Sequence, residues 1–269
     1  MLLPRSSAIA ARLDILERAG STNDELRRAA AGPHAGRWPS FSVIATDTQT
    51  AGRGRLGRTW SAPPGTALAA SLLLRTDLGP SALGWLPLIA GLAMSRALTG
   101  LGAAAELKWP NDILIGGRKV CGILAELIPG GVIVGTGVNL TLREEQLPVP
   151  TATSLALAGV DASADAVLAA YLAEMRGELA AFESARGDAD ASGVRDRVRA
   201  ACGTLGRAVR VELPTGGALV GTATDLDADG RLLFSPAPAG AGGPAGSDNA
   251  QPSKMVAVTA GDVTHLRYF

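Results

Sequence analysis

The chain has 269 residues, of which 47% are hydrophobic, and its 25 lysines and arginines balance its 25 aspartates and glutamates. A chain of this length and apolar content can bury the core of one large domain, or of a large domain and a small one. Its zero formal net charge excludes a general electrostatic attraction to nucleic acid or to an anionic membrane, so any basic site must be local.

The two cysteines, Cys121 and Cys202, are too few for a disulfide framework or a zinc site, and we expect two buried thiols in a reducing cytoplasm. The first residues lack a basic segment followed by a long apolar one, so they do not resemble a signal peptide. No apolar run reaches the roughly 18 residues that span a bilayer. These features predict a soluble cytoplasmic protein that contacts no membrane.

The first hundred residues predict a helix, two strands and a second helix. The stretch STNDELRRAAA begins with Ser21 or Thr22 as a helix cap, and Thr22 and Glu25 match a capping box. The apolar stretches FSVIATD and ALAASLLLR predict strands on either side of a glycine- and arginine-rich stretch. The long, alanine-rich stretch SALGWLPLIAGLAMSRALTGL predicts a buried helix.

The middle of the chain predicts a sheet and a helix. Glycines and turn residues separate three apolar segments, AELKWPNDILI, KVCGILAELI and GVIVGTGVNL, which predict consecutive strands of one sheet. The next long segment, DASADAVLAAYLAEMRGELAAFES, has the spacing of a helix that packs one face. That face contains Leu168, Leu172, Met175, Leu179 and Phe182.

The C-terminal part of the chain has a different sequence pattern. Short alternating strands with glycine turns follow residue 204 and predict a small barrel-like domain. Within it, residues 236–253 contain almost no large apolar side chain, so they cannot offset their own ordering entropy. We therefore expect a disordered loop there.

The stretch TQTAGRGRLGRTW contains a G-x-G-x-x-G match from Gly52 to Gly57. A dinucleotide-binding fold needs the third glycine to open a helix whose N-terminus holds the pyrophosphate. Pro63 and Pro64 forbid a helix there, and Asp77 follows a second strand without a crossover helix. The sequence therefore argues against a dinucleotide fold.

Three interpretations of the arginines in this stretch stay open on the residues alone: a solvated turn, a nucleic-acid contact loop, or a mobile loop that closes over a phosphate-bearing ligand. The neutral chain and the lack of an aromatic stacking platform weaken the nucleic-acid interpretation. Guanidinium groups bind phosphate oxygens bidentately, and glycines let the backbone approach closely. Lys108 and Lys119, in an apolar sheet region, also favour an anionic ligand because a lysine there is costly without one.

Four ordered stretches resemble the motifs of bacterial biotin protein ligases: GSTND, QTAGRGRLGRTW, KWPNDILIGGRKVCGILAE and VGTGVNL. The resemblance is strong over residues 20–140 and looser in the C-terminal strands. It implies an α+β fold with a catalytic domain at 1–204, in which helices flank a mixed central sheet as in class II aminoacyl-tRNA synthetases. Residues 205–269 would form a small SH3-like β-barrel.

The resemblance also implies that the chain joins biotin and ATP to give biotinyl-5′-adenylate, and then transfers biotin to a lysine of a biotin carboxyl carrier domain. Catalysis is implied for Arg53, Arg55 and Lys119, which would stabilise charge as pyrophosphate leaves, and for Asp112, which would take the proton of the incoming lysine. Mg²⁺ is expected on the triphosphate, with no metal site made by the protein. A lid at residues 52–58 would shield the adenylate from water.

The same resemblance supplies two sets of binding residues. Biotin contacts are implied for Ser21, Thr22, Asn23, Gln49, Gly52, Arg53, Gly54, Arg55, Lys119, Gly122 and Gly137. Nucleotide contacts are implied for Arg55, Arg58, Trp60, Lys108, Trp109, Asn111, Lys119 and Asn139.

Two other functions stay open at this point: a lipoate or octanoate protein ligase of the same fold, and a nucleic-acid-binding module that uses the arginine loop. About twenty residues precede STND, too few for the helix-turn-helix that some family members carry, so we expect no operator DNA binding. The sequence does not predict whether the chain is a homodimer or which carboxylase it serves.

Overall fold

A computed structural model describes residues 1–213, 216–237, 255–259 and 262–265. Its first 139 residues contain nine strands, of which β3 and β4 form a separate hairpin. They are β1 (Arg12–Ile15), β2 (Ser42–Thr46), β3 (Gly52–Arg53), β4 (Thr59–Trp60), β5 (Ala67–Leu74), β6 (Ala105–Lys108), β7 (Asp112–Ile115), β8 (Arg118–Ile128) and β9 (Gly131–Asn139). The other seven make one mixed sheet in the order β1-β2-β5-β9-β8-β7-β6, in which β1 and β2 are parallel and the remaining pairs are antiparallel.

Helices cover both faces of this sheet. They are α1 (Pro4–Ser7), α2 (Thr22–Ala31), α3 (Pro80–Leu83), α4 (Leu86–Gly100), α5 (Ala164–Ser184) and α6 (Val194–Ala201), with short 3-10 turns at Ala35–Arg37, Arg55–Gly57 and Glu144–Gln146. On one face α4 and α5 form the main core, and on the other α2 packs against β2, β5 and β9. The α+β architecture expected from the sequence is confirmed.

The position of β5 between two covered faces of the sheet explains why its sequence is almost entirely apolar. Leu68, Leu72 and Leu74 point into the main core, whereas Leu73 packs beneath α2. All eight residues of the strand are buried, since side chains alternate between two covered faces. The same alternation places Ser71 on the α2 face, with Leu73.

The predicted helical segments are confirmed, with one difference. The expected apolar stripe of α5, from Leu168 to Phe182, is buried as predicted. The predicted single helix at 81–101 is broken at Gly84 and Trp85 into α3 and α4. Contrary to the expectation from the sequence, Pro80–Gly100 has the length and apolar composition to cross a membrane, but most of it is buried inside the fold, as in a core helix.

Strands β2 and β5 are antiparallel neighbours joined through the β3–β4 hairpin, with no crossover helix between them. Gly57, at a φ of 72°, leads into β4 and not into a helix. The prediction that the glycine motif is not a dinucleotide fingerprint is therefore confirmed.

The small domain is a five-stranded antiparallel sheet in the order β13-β12-β11-β10-β14. Its strands are β10 (Ala208–Glu212), β11 (Ala218–Leu226), β12 (Leu232–Pro236), β13 (Val256–Val258) and β14 (Asp262–His265). The predicted loop at 236–253 begins with Pro236, which lies in β12, and Ala237. The rest of that loop, 238–253, lies outside the described residues.

Two buried tryptophans join the small domain to the large one. Trp85 Nε1 donates to the carbonyl oxygen of Ala228 at 2.8 Å, and Trp109 Nε1 donates to that of Gly230 at 3.1 Å. We call these two bonds the tryptophan clamp. Both acceptors lie in the turn between β11 and β12, so this turn is fixed against the large domain.

A further contact fixes the backbone of Trp109. The Trp109 N–H donates to Thr204 Oγ1 at 3.0 Å, and this hydroxyl lies 3.1 Å from His265 Nε2 in β14. Burial lowers the pKa of His265 to about 4, with smaller effects from Arg207 and Lys108. His265 is therefore neutral at physiological pH and adds no buried charge to this junction.

Both cysteines are buried and free. Burial raises the pKa of the Cys121 thiol to about 12 and also raises that of Cys202. Their burial is as predicted, and the raised pKa values keep both thiols protonated at neutral pH.

Candidate active site

A cavity of about 140 Å³ lies between the N-terminus of α2, the β3–β4 hairpin and strands β7, β8 and β9. Its wall is formed by Ser21, Thr22, Asn23, Gln49, Arg53, Gly54, Arg55, Leu56, Arg58, Thr59, Trp60, Asn111, Asp112, Lys119, Gly122, Ile123, Leu124, Gly135, Thr136 and Gly137. One end of the cavity is buried and neutral, and the other is rich in cations.

The buried, neutral end of the cavity, which we call the closed end, lies at the N-terminus of α2. Gln49 Oε1 accepts the backbone N–H of Thr22 at 2.9 Å and lies 3.2 Å from the Thr22 hydroxyl. Ser21, one of the two expected caps, is the N-cap but makes no side-chain capping bond, and the predicted capping box of Thr22 and Glu25 is wrong because Thr22 is the first residue of the helix. A glutamine from the segment before the hairpin binds the helix N-terminus instead, which leaves both hydroxyls beside the cavity.

A buried hydrogen-bond network lies behind this end. Ser71 Oγ is 2.7 Å from Thr22 Oγ1 and 2.6 Å from Asn23 Oδ1. Asn23 Nδ2 donates to Glu126 Oε2 at 2.6 Å and to the carbonyl oxygen of Leu124 at 3.3 Å. Thr22, Asn23 and Ser71 are all at most 4% exposed.

The hairpin forms the opposite wall and is held by charges. Arg53 pairs with Asp24 and, at 3.1 Å, with Glu126. The hydrogen bond with Asp24 raises the pKa of Arg53, and the bond with Arg53 lowers the pKa of Asp24. The tip of the hairpin is exposed, with Leu56 in the left-handed region at a φ of 56°.

The cationic end centres on β7 and β8. Lys119 Nζ lies 2.5 Å from Asp112 Oδ1, and Lys108 Nζ lies 3.9 Å from Asp112 Oδ2. Arg55 Nη1 donates to Asn111 Oδ1 at 3.0 Å, and the Asn111 amide donates to the Ile123 carbonyl oxygen at 2.7 Å. Within the part of the chain that the structure describes, the Asp112 carboxylate lies within 4 Å of two lysines, an arrangement that suits an anionic ligand.

Two glycines of β9 permit close approaches along the floor of the cavity. A side chain at Gly137 would place its Cβ 2.6 Å from the Trp60 ring, and one at Gly135 would collide with the Asn23 amide. Glycine at these positions lets Trp60 and Asn23 lie directly against the sheet.

A second cavity, of about 500 Å³, lies on the other side of the hairpin. It shares Arg53, Arg55 and Asn111 with the first cavity, and its remaining walls include the N-terminus of α4 and the turn at Asp229–Arg231. The hairpin therefore stands between two adjoining spaces, one of which is bounded by the small domain.

Fourteen of the eighteen predicted site residues line the first cavity. Trp109 lines only the second cavity, and Gly52, Lys108 and Asn139 line neither. The Asn139 amide instead donates to the Thr153 carbonyl oxygen at 2.9 Å, where it is buried. The structure brings most of the predicted residues together, while the role of each residue stays a prediction.

Sequence reasoning missed Ser71 and Glu126, which lie behind the wall formed by Thr22 and Asn23. The signal for Ser71 was a lone hydroxyl in the middle of an apolar strand that is covered on both faces. A buried polar group needs a hydrogen-bond partner, so such a serine marks a network.

The family comparisons agree with this fold and site. Residues 18–142 match the family described as Biotin/lipoate A/B protein ligase family, and residues 204–236 match the Biotin protein ligase C terminal domain. The mixed sheet, the two-ended cavity and the small β domain therefore define the class as the biotin and lipoate protein ligases.

Individual relatives narrow this class. The chain is 38% identical over 263 residues to a biotin–[acetyl-CoA-carboxylase] ligase of Mycobacterium tuberculosis, covering 95% of this chain and 90% of the relative. It is 35% identical over 156 residues to the bifunctional ligase/repressor BirA of Escherichia coli, covering 55% and 49%. The biotin protein ligase of Aquifex aeolicus, solved with biotin and ATP, superimposes with a TM-score of 0.74 at 26% identity over 96% of this chain and 100% of that one. The chain belongs to the biotin protein ligase family.

Proposed function

We infer that the chain is an ATP-dependent biotin protein ligase. It joins biotin to AMP as biotinyl-5′-adenylate with release of pyrophosphate, and it then transfers the biotinyl group to the acceptor lysine of a biotin carboxyl carrier domain. The observation that supports this most directly is the two-ended cavity, which combines a neutral, buried polar end with a cationic end in a chain of this family.

The neutral end suits the ureido group of biotin, which both donates and accepts hydrogen bonds. Ser21, Thr22 and Gln49 offer hydroxyl and amide groups there and no formal charge. In our proposal these residues bind the ureido ring, so that the valeryl carboxylate extends towards Lys119 and the hairpin.

The cationic end suits the first half-reaction, in which two anions must meet. A carboxylate oxygen of biotin forms a bond to the α-phosphorus of ATP, and the bond from that phosphorus to pyrophosphate breaks. Arg55 and Lys119 would screen the repulsion and stabilise the charge that develops on the phosphoryl oxygens. Arg53 would join them once it exchanges its contacts with Asp24 and Glu126 for the ligand.

We place Mg²⁺ on the triphosphate and not in a site of the protein. Across the described residues, no group of three or more His, Cys, Asp or Glu side chains could hold a metal ion. Asp112, the carboxylate of the cationic end, is already paired with Lys119. Mg²⁺ is commonly bound by substrate phosphates with few protein ligands, and here it would neutralise charge on the leaving pyrophosphate.

The second half-reaction needs a neutral amine. A free lysine has a pKa of about 10.4, so it arrives protonated at neutral pH. In our proposal Asp112 orients this ammonium and accepts its proton, and the neutral amine then forms a bond to the biotinyl carbonyl carbon while the bond from that carbon to AMP breaks. Because Asp112 also touches Lys119, it would position that lysine during the first half-reaction as well.

We also propose that the chain functions without binding operator DNA, which the balanced charge of the sequence supports. A gel-shift titration with biotin and ATP present tests this, and sequence-specific retention would contradict it. Sedimentation with and without biotin would determine whether the chain is a homodimer.

The main test is ATP–pyrophosphate exchange by the purified chain with biotin, lipoate or octanoate as the acid. We expect exchange with biotin only, followed by biotinylation of an added carrier domain. Exchange with lipoate or octanoate alone would support the alternative ligase. No exchange with any of the three acids would reject a ligase, since binding alone, as in a nucleic-acid-binding module, catalyses no exchange.

A further inference from the structure

The network behind the closed end has too few protons for its contacts. Two hydroxyls, those of Thr22 and Ser71, take part in three short contacts: Ser71 Oγ to Asn23 Oδ1 at 2.6 Å, Ser71 Oγ to Thr22 Oγ1 at 2.7 Å, and Thr22 Oγ1 to Gln49 Oε1 at 3.2 Å. Each hydroxyl has one proton to donate. One of the three contacts therefore has no proton.

The orientation of Asn23 decides where the first proton goes. Its Nδ2 faces the Glu126 carboxylate at 2.6 Å and the Leu124 carbonyl oxygen at 3.3 Å, and both groups only accept hydrogen bonds. The amide oxygen must therefore face Ser71. Since an amide oxygen cannot donate, the Ser71 proton lies in the contact with Asn23.

The second proton then has one place to go. The 2.7 Å contact between the two hydroxyls needs a proton, and Ser71 has none left, so Thr22 donates to Ser71. The contact without a proton is the one between Thr22 Oγ1 and Gln49 Oε1, which at 3.2 Å is also the longest of the three. Gln49 cannot supply a donor there, because its Oε1 accepts the backbone N–H of Thr22 at 2.9 Å.

Two oxygen atoms thus face each other at the closed end of the cavity with no proton between them. We propose that Ser71, Asn23 and Glu126 are positioning residues that keep the Thr22 hydroxyl a hydrogen-bond acceptor towards the cavity, so that this end selects a ligand with an N–H group. An N–H would supply the missing proton, whereas a ligand oxygen would meet only acceptors.

This inference rests on the proposed function and deepens it. The ureido ring of biotin has N–H groups to donate, whereas the dithiolane of lipoate and the chain of octanoate have none. Sites built to bond a substrate N–H reject analogues without it strongly, because a buried polar group is then left unpaired. Part of the selection would come from Ser71 and Glu126, which lie outside the wall of this cavity.

The test compares biotin with its two analogues in which one ureido N–H is replaced by a ring oxygen. The measured quantity is the ratio of kcat/KM for biotin to that for each analogue in ATP–pyrophosphate exchange, together with the ratio of dissociation constants from calorimetry without ATP. For one analogue we expect the wild-type chain to show a ratio of about 10² or more.

In Ser71→Ala, the Thr22 hydroxyl loses the acceptor to which it donates. It can then rotate and donate to Gln49 or to a ligand oxygen. We expect the ratio to fall at least about tenfold, through KM and not kcat. Ser42→Ala is the matched control: Ser42 is fully buried on neighbouring β2 and donates to the Pro39 carbonyl oxygen at 2.7 Å, outside the cavity wall. It should keep the wild-type ratio.

A double-mutant cycle separates positioning from a general loss of structure. Thr22→Val removes the acceptor itself, so the ratio should fall in that variant and should not change further when Ser71→Ala is added. An unchanged ratio in Ser71→Ala, an equal fall in Ser42→Ala, or a further fall on the Thr22→Val background would each overturn the inference. A wild-type chain with no biotin-dependent exchange would reject the proposed function instead, and calorimetry would still test the ratio.

Discussion

The closed end of the cavity and the hairpin that covers it are held in opposite ways. Behind the closed end, Thr22, Asn23 and Ser71 are buried and joined by hydrogen bonds between mostly neutral groups. The hairpin is held by the half-exposed guanidinium of Arg53, which pairs with two carboxylates. Buried hydrogen bonds are costly to leave unmade, whereas exposed ion pairs contribute little and are screened by salt.

This contrast assigns different tasks to the two regions. In our proposal, the closed end selects the ligand by the direction of its hydrogen bonds. The hairpin can exchange its exposed ion pairs at little cost, which suits the lid that we predict at residues 52–58. Four changes follow in the order of their expected effect: three test this division, and one tests the tryptophan clamp.

Lys119→Ala should have the largest effect. It removes a cation from the reacting end and leaves Asp112 without its close partner. We expect adenylate formation to slow by about 10²–10³-fold and biotin affinity to fall by much less, because the closed end is untouched. Single-turnover formation of biotinyl-adenylate and equilibrium biotin binding measure the two quantities separately.

Arg28→Ala is the control for Lys119→Ala, because Arg28 is exposed and pairs with Glu25 on the outside of α2. It should leave the rate of adenylate formation unchanged. An equal loss of biotin affinity and of rate in Lys119→Ala would show that the two ends of the cavity are not separate.

Gly137→Ala should come next, because the new Cβ would collide with the Trp60 ring and displace the hairpin. We expect the KM for ATP to rise about tenfold and the affinity for biotin to change less. Gly177→Ala, in α5, has open space around the added carbon and is the control. A change in biotin affinity alone would place Trp60 in the closed end.

Trp85→Phe should lower stability by about 1 kcal/mol, because it removes one hydrogen bond of the tryptophan clamp and keeps an aromatic ring in the core. Urea unfolding measures this loss. Trp38→Phe is a useful control, since Trp38 is buried in the smaller core beneath α2. An equal loss in both variants would mean that the lost ring volume, and not the clamp, is responsible.

Asp24→Asn should have the smallest effect, below about 1 kcal/mol, and it should disappear at high salt. Arg53 lowers the pKa of Asp24 in the folded chain. The stability from this pair is therefore present above the unfolded pKa, near 3.8, and is lost as the pH falls through the lower folded value. Thermal unfolding of wild type and variant between pH 7 and pH 2 measures the stability that this pair contributes. A large effect at pH 7 in high salt would show that the hairpin is not held by weak, exposed ion pairs.

Much of the fold and of the cavity wall could be predicted from local sequence. The stripe of α5 has a clear helical period, the strands of the sheet are apolar segments between turn residues, and four short motifs contain the residues of the first cavity. The prolines after Gly57 correctly excluded a helix there. These are all features of neighbouring residues.

What could not be predicted depends on contacts between distant parts of the chain. Trp85 bonds to Ala228, 143 residues away, and no local pattern marks that pair. The binding of Thr22 by Gln49 replaced a capping box that the local sequence favoured. The lone serine in β5 was a signal, but its partners Thr22 and Asn23 on α2 can be identified only once the helix is packed on the sheet.

The burial of β5 on both faces has a further consequence. Because side chains alternate along a strand, a shift of β5 by one residue in register would exchange its two faces. Leu72 would then face the polar network, and Ser71 would face the hydrophobic core. The register of this one strand therefore determines both the stability of the sheet and the chemistry of the closed end. Single-residue insertions or deletions within it would abolish both at once, whereas same-size substitutions could retune the pocket alone.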